Sequence, residues 1–189
     1  MDIRPAVVED AAAVAAVHVS SWRAAYQGLV PQPYLDGLDP DQRRRDWERI
    51  LSATPQPRSG TWVADTAAGV TGFVSCSPSR DADQDPRTIG EVTALYVAPD
   101  AWDTGTGRRL LAAAVRSLAA AGFAAATLWV LDTNVRARRF YTAASWRPDG
   151  TSQQDTSRGF PLAEVRYVRS PLPDPARSGH AADVSGSAG

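Results

Sequence analysis

The residues from Glu91 to Gly107 combine a strand whose one charged residue is Glu91 with a glycine-rich loop. The apolar run from Glu91 to Ala98 predicts a strand that is buried on both faces. The loop that follows ends in Gly105-Thr-Gly107, and the apolar pattern from Arg108 to Ala121 predicts a helix. Because backbone N–H groups at a helix N-terminus attract anions, this loop predicts a phosphate site. The charge of Glu91 either serves chemistry or lies at a strand end and points to solvent.

The composition is that of one globular domain without a strong electrostatic preference. The chain has 189 residues and a formal net charge of −1, so nothing indicates nucleic acid or an anionic membrane as a partner. Cys76 is the one cysteine, and only His18 and His180 offer imidazole, so we expect no disulfide and no metal site. The chain has neither a signal-peptide pattern nor an apolar run of membrane-spanning length, which favours a cytoplasmic protein.

Alternating strand and helix patterns extend over residues 1–170, which we predict to be one domain. Further strands are predicted at Ile3–Val8, Thr61–Asp65, Val70–Ser77, Ala124–Leu131 and Ala163–Arg169. Further helices are predicted from Asp10 to Tyr26, from Asp39 onward, and from Val135 to Ala143. The polar, aspartate-rich residues 78–87 predict a mobile surface loop. Residues 171–189 lack the apolar side chains that a fold needs and predict a disordered tail.

Three stretches, taken together, resemble the GNAT superfamily of acyl-CoA-dependent N-acyltransferases. Leu95-Tyr-Val-Ala-Pro99, followed by Trp102-Asp-Thr-Gly-Thr-Gly107, is similar to the cofactor motif of that family. Asn134-Val-Arg-Ala-Arg-Arg-Phe-Tyr141 is similar to its N-x-x-A-x-x-F-Y element. A softer likeness covers Arg4-Pro5 and the helix that ends in Ser21-Trp-Arg-Ala-Ala-Tyr26. A lone Gly-x-Gly before a helix is more often a tight turn, so the order and spacing of all three carry the resemblance.

The resemblance implies an α/β (α+β layered) fold. In it, a central mixed, mostly antiparallel sheet of six to seven strands is flanked by helices and splays at the cofactor strand. It also implies acetyl-CoA as cosubstrate and no metal, with the pantetheine arm lying in the splay like an added strand. The residues that it implies for cofactor binding are Leu95, Tyr96, Val97, Asp103, Thr104, Gly105, Thr106, Gly107, Arg108, Asn134 and Arg138. Arg138 and Arg139 could both reach the nucleotide, although a solvated helix face is expected for at least one.

Two positions depart from the family pattern. Asp103 stands beside the expected pyrophosphate site, where relatives commonly carry a basic residue, and a like-charge contact there costs about 1 kcal/mol. Ser145 replaces the usual glycine before the aromatic residue Trp146. Both departures bear on cofactor affinity.

The implied reaction makes two demands on the protein. An alkylamine is about one part in a thousand neutral at pH 7, which places roughly 4 kcal/mol against attack and calls for a base. Glu91, acting directly or through water, is the predicted general base. The leaving thiolate needs a proton, and the resemblance implies Tyr141 as general acid. Otherwise Tyr141 is a buried tyrosine that is hydrogen-bonded to backbone.

The acceptor is a small-molecule or peptide amine whose identity the sequence does not give. Trp22 and Tyr26 occupy the segment that walls the amine pocket in relatives, and we favour Tyr26. Phe160, Pro161, Leu162 and Glu164 near the last strand are further candidates. The resemblance also allows a homodimer.

Two other functions compete with acetyl transfer. An acyl-CoA-binding regulatory or interaction module with little turnover would retain the cofactor cleft, and Asp103 and Ser145 favour it. A dinucleotide-binding oxidoreductase ranks last, because the loop lacks the third glycine and an acidic residue about twenty positions on.

Overall fold

The computed structural model describes residues 1–54 and 56–174. Within these residues the strands are β1 (Asp2–Pro5), β2 (Gly60–Thr66), β3 (Gly69–Pro78), β4 (Ile89–Val97), β5 (Ala125–Leu131), β6 (Arg147–Asp155) and β7 (Leu162–Arg169). The helices are α1 (Ala11–Ala25), α2 (Gln32–Asp36), α3 (Pro40–Ser52), α4 (Thr106–Ala120) and α5 (Val135–Ala143). No helix of this described part is long and apolar enough to cross a membrane.

All seven described strands join one sheet in the order β1-β2-β3-β4-β5-β7-β6. Every neighbouring pair is antiparallel except β4 and β5, which run parallel. That parallel contact is short, because it joins only Ile89–Glu91 to Ala125–Thr127. Beyond Glu91, β4 continues to Val97 beside β3 alone, so a gap opens between β4 and β5. The predicted mixed, splayed sheet is confirmed.

Helices cover both faces of the sheet. Because successive strand residues point to opposite faces, Val74 packs with the α4 side chains Leu110 and Leu118, while Phe73 packs with Val14 of α1 and Trp47 of α3. The aromatic side chains of α5 join the first of these clusters. We call the two sides the α4–α5 face and the α1 face.

The structure corrects the sequence analysis at both edges of the sheet. The first strand ends at Pro5 instead of Val8, because residues 8–10 form a 3-10 turn in which the Asp10 carboxylate accepts bonds from Arg4 and the Val7 N–H. Strand β6 was missed altogether. It is an edge strand with Pro148 and Gly150, and nearly every residue in it is exposed, so it has no apolar alternation to find.

Residues 78–87 lie at the surface, as predicted, but contacts that the prediction did not include anchor them to the sheet. The buried Arg166 of β7 pairs with Asp81 at 3.0 Å and with Asp83 at 2.7 Å, which holds this loop against the α1 face. The Trp129 indole donates to Asp81 as well, at 3.0 Å. The aspartates that indicated a solvated loop therefore anchor it.

The ordered chain extends past the predicted domain end at position 170. Leu172 is buried in the main core cluster, and its N–H donates to the Ala124 carbonyl at 3.0 Å. Residues 175–189 of the predicted tail lie outside the described residues.

Ser145 closes α5 in a left-handed conformation, with φ of 65°. The next residue, Trp146, donates its N–H to the Tyr141 carbonyl at 3.0 Å and satisfies the helix end. A serine in this region costs about 1–2 kcal/mol relative to glycine, partly offset by the greater freedom of glycine in the unfolded chain.

We therefore expect Ser145→Gly to raise the free energy of unfolding by about 0.5–1 kcal/mol, as measured by urea denaturation. The matched control is Ala144→Gly, because Ala144 has a φ of −93° and gains nothing from glycine. That control should lower the free energy of unfolding by a similar amount. A loss of stability in both variants would refute strain at Ser145.

Candidate functional site

A cleft of about 1010 Å³ lies where β4 and β5 separate. This volume suits a drug-sized ligand or a cofactor. On the α4–α5 face its lining includes Gly105, Gly107, Arg108, Asn134, Arg136 and Arg139. On the α1 face it includes Trp22, Tyr26, Arg80, Glu91, Arg158 and Glu164. The gap joins the two sides, so one cleft brings together most of the residues that the sequence indicated.

The glycine-rich loop presents backbone N–H groups to the cleft. Helix α4 begins at Thr106, and the N–H groups of its first turn have no intrahelical partner. Its N-cap residue, Gly105, has no side chain that could bond them. Gly105 has a φ of 86°, which favours glycine. A Cβ on Gly107 would instead meet the Phe140 ring at 3.5 Å, an ordinary contact beneath the loop. The conformational need for glycine is therefore at position 105.

The two threonine hydroxyls of this loop are engaged within it. Thr104 donates to the Ala101 carbonyl at 2.7 Å, and its hydroxyl lies 2.8 Å from that of Thr106. The Thr106 side chain is buried and also contacts the Met1 sulfur at 3.3 Å. These side chains shape the loop, whose free donors are its backbone groups.

Arg136 offsets the unfavourable charge of Asp103. Its guanidinium lies 3.6 Å from the Asp103 carboxylate and 3.8 Å from the centre of the Trp102 ring. Asp103 itself is almost fully exposed, so water screens its charge further. Arg136 was not among the predicted site residues, since the spacing of a helix does not reveal a partner in a loop thirty residues earlier.

Arg138 and Arg139, at adjacent positions on α5, point to different surroundings. Arg139 lines the cleft, whereas Arg138 does not. The Arg138 guanidinium donates to the Asp132 carboxylate and to the Tyr167 hydroxyl. Arg108, Arg136 and Arg139 are therefore the cations at the α4–α5 side of the cleft.

The free edge of β4 supplies backbone groups to the gap. The Ala98 N–H donates to Thr71 of β3, so by strand alternation the polar groups of Tyr96 face β3 and those of Leu95 and Val97 face the gap. The Val97 carbonyl already accepts from the Ser21 hydroxyl and the Trp102 indole, both at 2.8 Å. The groups left for a ligand are those of Leu95 and the Val97 N–H, while Tyr96 offers its side chain.

Asn134 combines two roles. Its side-chain oxygen accepts from the Ala137 N–H at 3.0 Å and caps α5. Its side-chain NH₂ is left with two donors and lines the cleft.

The Tyr141 side chain is buried and lines the cleft from α5. Contacts between its ring and those of Phe140, Trp146 and Tyr167 fix its position. Burial raises the pKa of Tyr141 well above 10, so its hydroxyl stays protonated at neutral pH. Among the described residues this hydroxyl has no hydrogen-bond partner, which does not fit a tyrosine bonded to backbone.

Glu91 is buried and does not point to solvent, so that alternative is wrong. Its Oε1 lies 2.6 Å from the Arg80 guanidinium, and its Oε2 accepts from the Arg80 Nε at 3.0 Å and from the Arg80 N–H at 3.1 Å. Arg80, which the sequence analysis passed over as part of a mobile loop, thus occupies both carboxylate oxygens.

Aromatic side chains line the α1 face of the cleft. The Trp22 and Tyr26 rings lie 4.4 Å apart, and Arg158 of the β6–β7 loop lies 5.0 Å from the centre of the Trp22 ring. Burial raises the pKa of Tyr26 well above 10. The Trp22 indole nitrogen is buried without a hydrogen-bond partner among the described residues.

Glu164 of β7 faces the same side, half-buried. Its Oε2 accepts from the Gln153 amide at 2.8 Å. Burial raises the pKa of Glu164, and the charges of Asp155 and Glu91 raise it further, against the lowering effect of the Gln153 bond. Glu164 was predicted only as a candidate for the acceptor pocket. Asp155 and Arg158, which pair across the β6–β7 loop, were not predicted.

Comparison with known proteins gives one family. A model of the acetyltransferase (GNAT) family matches residues 20–145. An uncharacterized N-acetyltransferase of Bacillus subtilis, YuaI, is 32% identical over 165 residues, which are 87% of each chain. An uncharacterized N-acetyltransferase of Archaeoglobus fulgidus is 30% identical over 148 residues, covering 78% of this chain and 93% of the other.

Solved structures share the fold at low sequence identity. The PaiA N-acetyltransferase of Thermoplasma acidophilum, solved with coenzyme A, superposes with a TM-score of 0.67 at 19% identity, over 89% of this chain and 98% of the other. YncA from Salmonella typhimurium, solved with acetyl-CoA, gives a TM-score of 0.65 at 21% identity, over 98% and 99%. With the splayed sheet and the glycine loop at α4, these matches establish that the chain belongs to the GNAT family of acetyltransferases.

Proposed function

We propose that this protein transfers an acetyl group from acetyl-CoA to a primary amine by direct attack within a ternary complex. The observation that carries the proposal is the single cleft at the β4–β5 splay. It places a loop suited to anions on one face of the sheet, and on the other the buried Glu91 with the half-buried Asp155 and Glu164. Acetyl-CoA bound on the loop side would place its thioester in the gap. An amine bound on the other side could then reach the thioester carbon.

Acetyl-CoA fits the α4–α5 side of the cleft. The N–H groups at the start of α4 suit its pyrophosphate, with Arg108, Arg136 and Arg139 as cations nearby. The Leu95 backbone and the Val97 N–H suit the amides of the pantetheine arm, and the Asn134 amide suits its opposite edge. Two structural relatives bind coenzyme A or acetyl-CoA, which supports this assignment.

Direct attack is favoured over a relay through cysteine. Cys76 is buried in β3, and burial raises the pKa of its thiol to about 12, so little thiolate exists at neutral pH. It is also absent from the lining of the cleft.

Tyr141 is the proposed acid for the leaving thiolate. A hydroxyl that stays protonated and has no internal partner is free to donate to the sulfur. The burial that keeps the proton in place also penalises the phenolate. The proton therefore moves to sulfur only as the C–S bond breaks and the thiolate forms. Water then returns a proton to the Tyr141 oxygen rapidly.

Glu91 is the carboxylate that the sequence indicated as the base, and it lies at the start of the splay. Its oxygens already accept three hydrogen bonds from Arg80, so a proton from the amine or from water would compete with those bonds. This competition disfavours Glu91 as the base relative to the other carboxylates on the α1 face.

The overall activity is tested by mixing purified protein, acetyl-CoA and a panel of primary amines and following free thiol release. We expect release above the hydrolysis background with at least one amine, together with a product whose mass is increased by one acetyl group. Coenzyme A binding without release from any amine would favour the alternative of a binding module with little turnover.

Tyr141→Phe should lower kcat about a hundredfold or more, because it removes the proton donor and keeps the ring. The dissociation constant of coenzyme A, measured by calorimetry, should change less than about twofold. Tyr167→Phe is the matched control, since Tyr167 is buried beside Tyr141 but does not line the cleft. An equal loss of kcat in both variants would mean that Tyr141 acts only through packing.

Gly105→Ala should weaken coenzyme A binding about five- to thirtyfold, because the left-handed conformation at position 105 disfavours a side chain by about 1–2 kcal/mol. Gly107→Ala should change the dissociation constant less than about threefold, since its Cβ meets Phe140 at an ordinary distance. Calorimetric titration of both variants measures the difference. A larger effect at position 107 would contradict this loop geometry.

A further inference from the structure

We propose that Glu164 binds the ammonium group of the acceptor and takes its proton, and that the acceptor is an amine without a carboxylate next to its amino group. This inference rests on the proposed acetyl transfer. It assigns the acceptor side of that reaction to a residue and a substrate class.

The balance of charges on the α1 face of the cleft indicates Glu164 as the group that binds an ammonium ion. This side carries the carboxylates of Glu91, Asp155 and Glu164 and the guanidinium groups of Arg80 and Arg158. Arg80 pairs with Glu91 at 2.6 Å, and Arg158 pairs with Asp155. Both arginines are thereby used, and one negative charge is left over at Glu164. Within the described chain, Glu164 forms no ion pair with an arginine.

The Glu164 carboxylate is held ready for a cationic donor. The Gln153 amide fixes its Oε2 at 2.8 Å, and Oε1 has no hydrogen-bond donor in the described part of the chain. An ammonium group bonded to Oε1 would replace the water lost on binding with a charge-assisted hydrogen bond. Since Glu164 is half-buried and has no ion-pair partner in the described chain, a bound cation would stabilise its charge.

The environment of Glu164 also suits a base. Burial raises the pKa of this carboxyl, with smaller contributions in the same direction from Asp155 and Glu91, while Gln153 and Arg158 act against them. A base is most effective when its pKa approaches the working pH, so a raised value strengthens Glu164 as a proton acceptor. The oxygens of Glu91 are less available to an ammonium group, because they already accept three hydrogen bonds from Arg80.

Acetyl transfer through Glu164 and Tyr141 conserves protons and electron pairs. The ammonium gives one proton to Glu164, and the neutral nitrogen then attacks the thioester carbon. The C–N bond forms and the C–S bond breaks, with the electron pair leaving on sulfur, which takes a proton from Tyr141. The nitrogen loses its second proton to water, Tyr141 regains one from water, and Glu164 releases its proton to solvent. The products are the amide, the free thiol and one proton.

The same charges limit the class of acceptor. An α-amino acid would bring a carboxylate beside its ammonium group, toward Glu164 and Asp155, with both nearby arginines already paired. Like-charge contacts of this kind favour rejection. The aromatic rings of Trp22, Tyr26 and Trp129 along this side of the cleft suit an apolar or aromatic body.

The substrate class is tested with matched pairs, such as phenethylamine against phenylalanine and tryptamine against tryptophan, at one pH with acetyl-CoA in excess. We expect the amine of each pair to have a kcat/KM at least about tenfold above that of its amino acid. Equal values, or preference for the amino acid, would overturn the assignment of class.

The role of Glu164 is tested with Glu164→Gln and its counterpart Glu91→Gln, using the best amine of the wild-type protein. In the wild type, kcat/KM should fall as the pH is lowered through the pKa of the base, with a midpoint above the ordinary carboxyl range near 4.3. Glu164→Gln should lower kcat/KM about a hundredfold and abolish that acidic limb. Glu91→Gln should keep the limb, whatever its effect on the rate.

Two controls separate the possible failures. The melting temperature and the dissociation constant of coenzyme A should match the wild type in Glu164→Gln, which shows that the variant is folded. An unchanged acidic limb in Glu164→Gln, with an active wild type, would refute the role of Glu164 and leave acetyl transfer standing. A wild type that acetylates no amine would instead refute the proposed function, and this inference with it.

Discussion

The brevity of the β4–β5 contact is the constraint on which the rest of the site depends. Three residues on each strand pair in parallel, and then the strands part. Backbone groups beyond that point must be satisfied by something other than sheet, since buried unpaired N–H and C=O groups are costly. Ser21 and Trp102 satisfy the carbonyl of Val97, and the groups of Leu95 are left for a ligand. A closed sheet would have neither a gap nor unpaired backbone groups to bind a ligand in it.

A second dependence runs through one buried arginine. Arg166 pairs with Asp81, Asp83 and Asp149, at distances of 2.7 to 3.0 Å, and it holds the loop that carries Arg80. Arg80 in turn occupies Glu91. Removing a partner from a buried ion-pair network is strongly destabilising, because it leaves an uncompensated charge. The shape and charge of the α1 side of the cleft thus depend on a residue that does not itself line the cleft.

The sequence predicted the parts of this protein that follow local rules. The apolar periods of α4 and β5, the glycine loop and the N-x-x-A-x-x-F-Y element all depend on neighbours in the chain, and the predicted fold agrees with the structure. What it missed depends on long-range pairing. Strand β6 has no apolar pattern, because it lies at an exposed edge. Arg80 and Arg158 gain meaning only from Glu91 and Asp155, and the spacing of charges in a loop does not show which of them folds inward.

The two faces of the cleft are built from different segments of the chain. Residues after β4 and β5 form the α4–α5 side, whereas α1, the Arg80 loop and the β6–β7 loop form the other. Residues that bind ligands on one side of the cleft can therefore be substituted without affecting those on the other side. If acetyl-CoA binds on the α4–α5 side, as proposed above, substitutions in the second group would change the acceptor of a relative without altering its cofactor contacts. Under that assignment, one splayed sheet provides a constant cofactor site beside an acceptor site that can diverge.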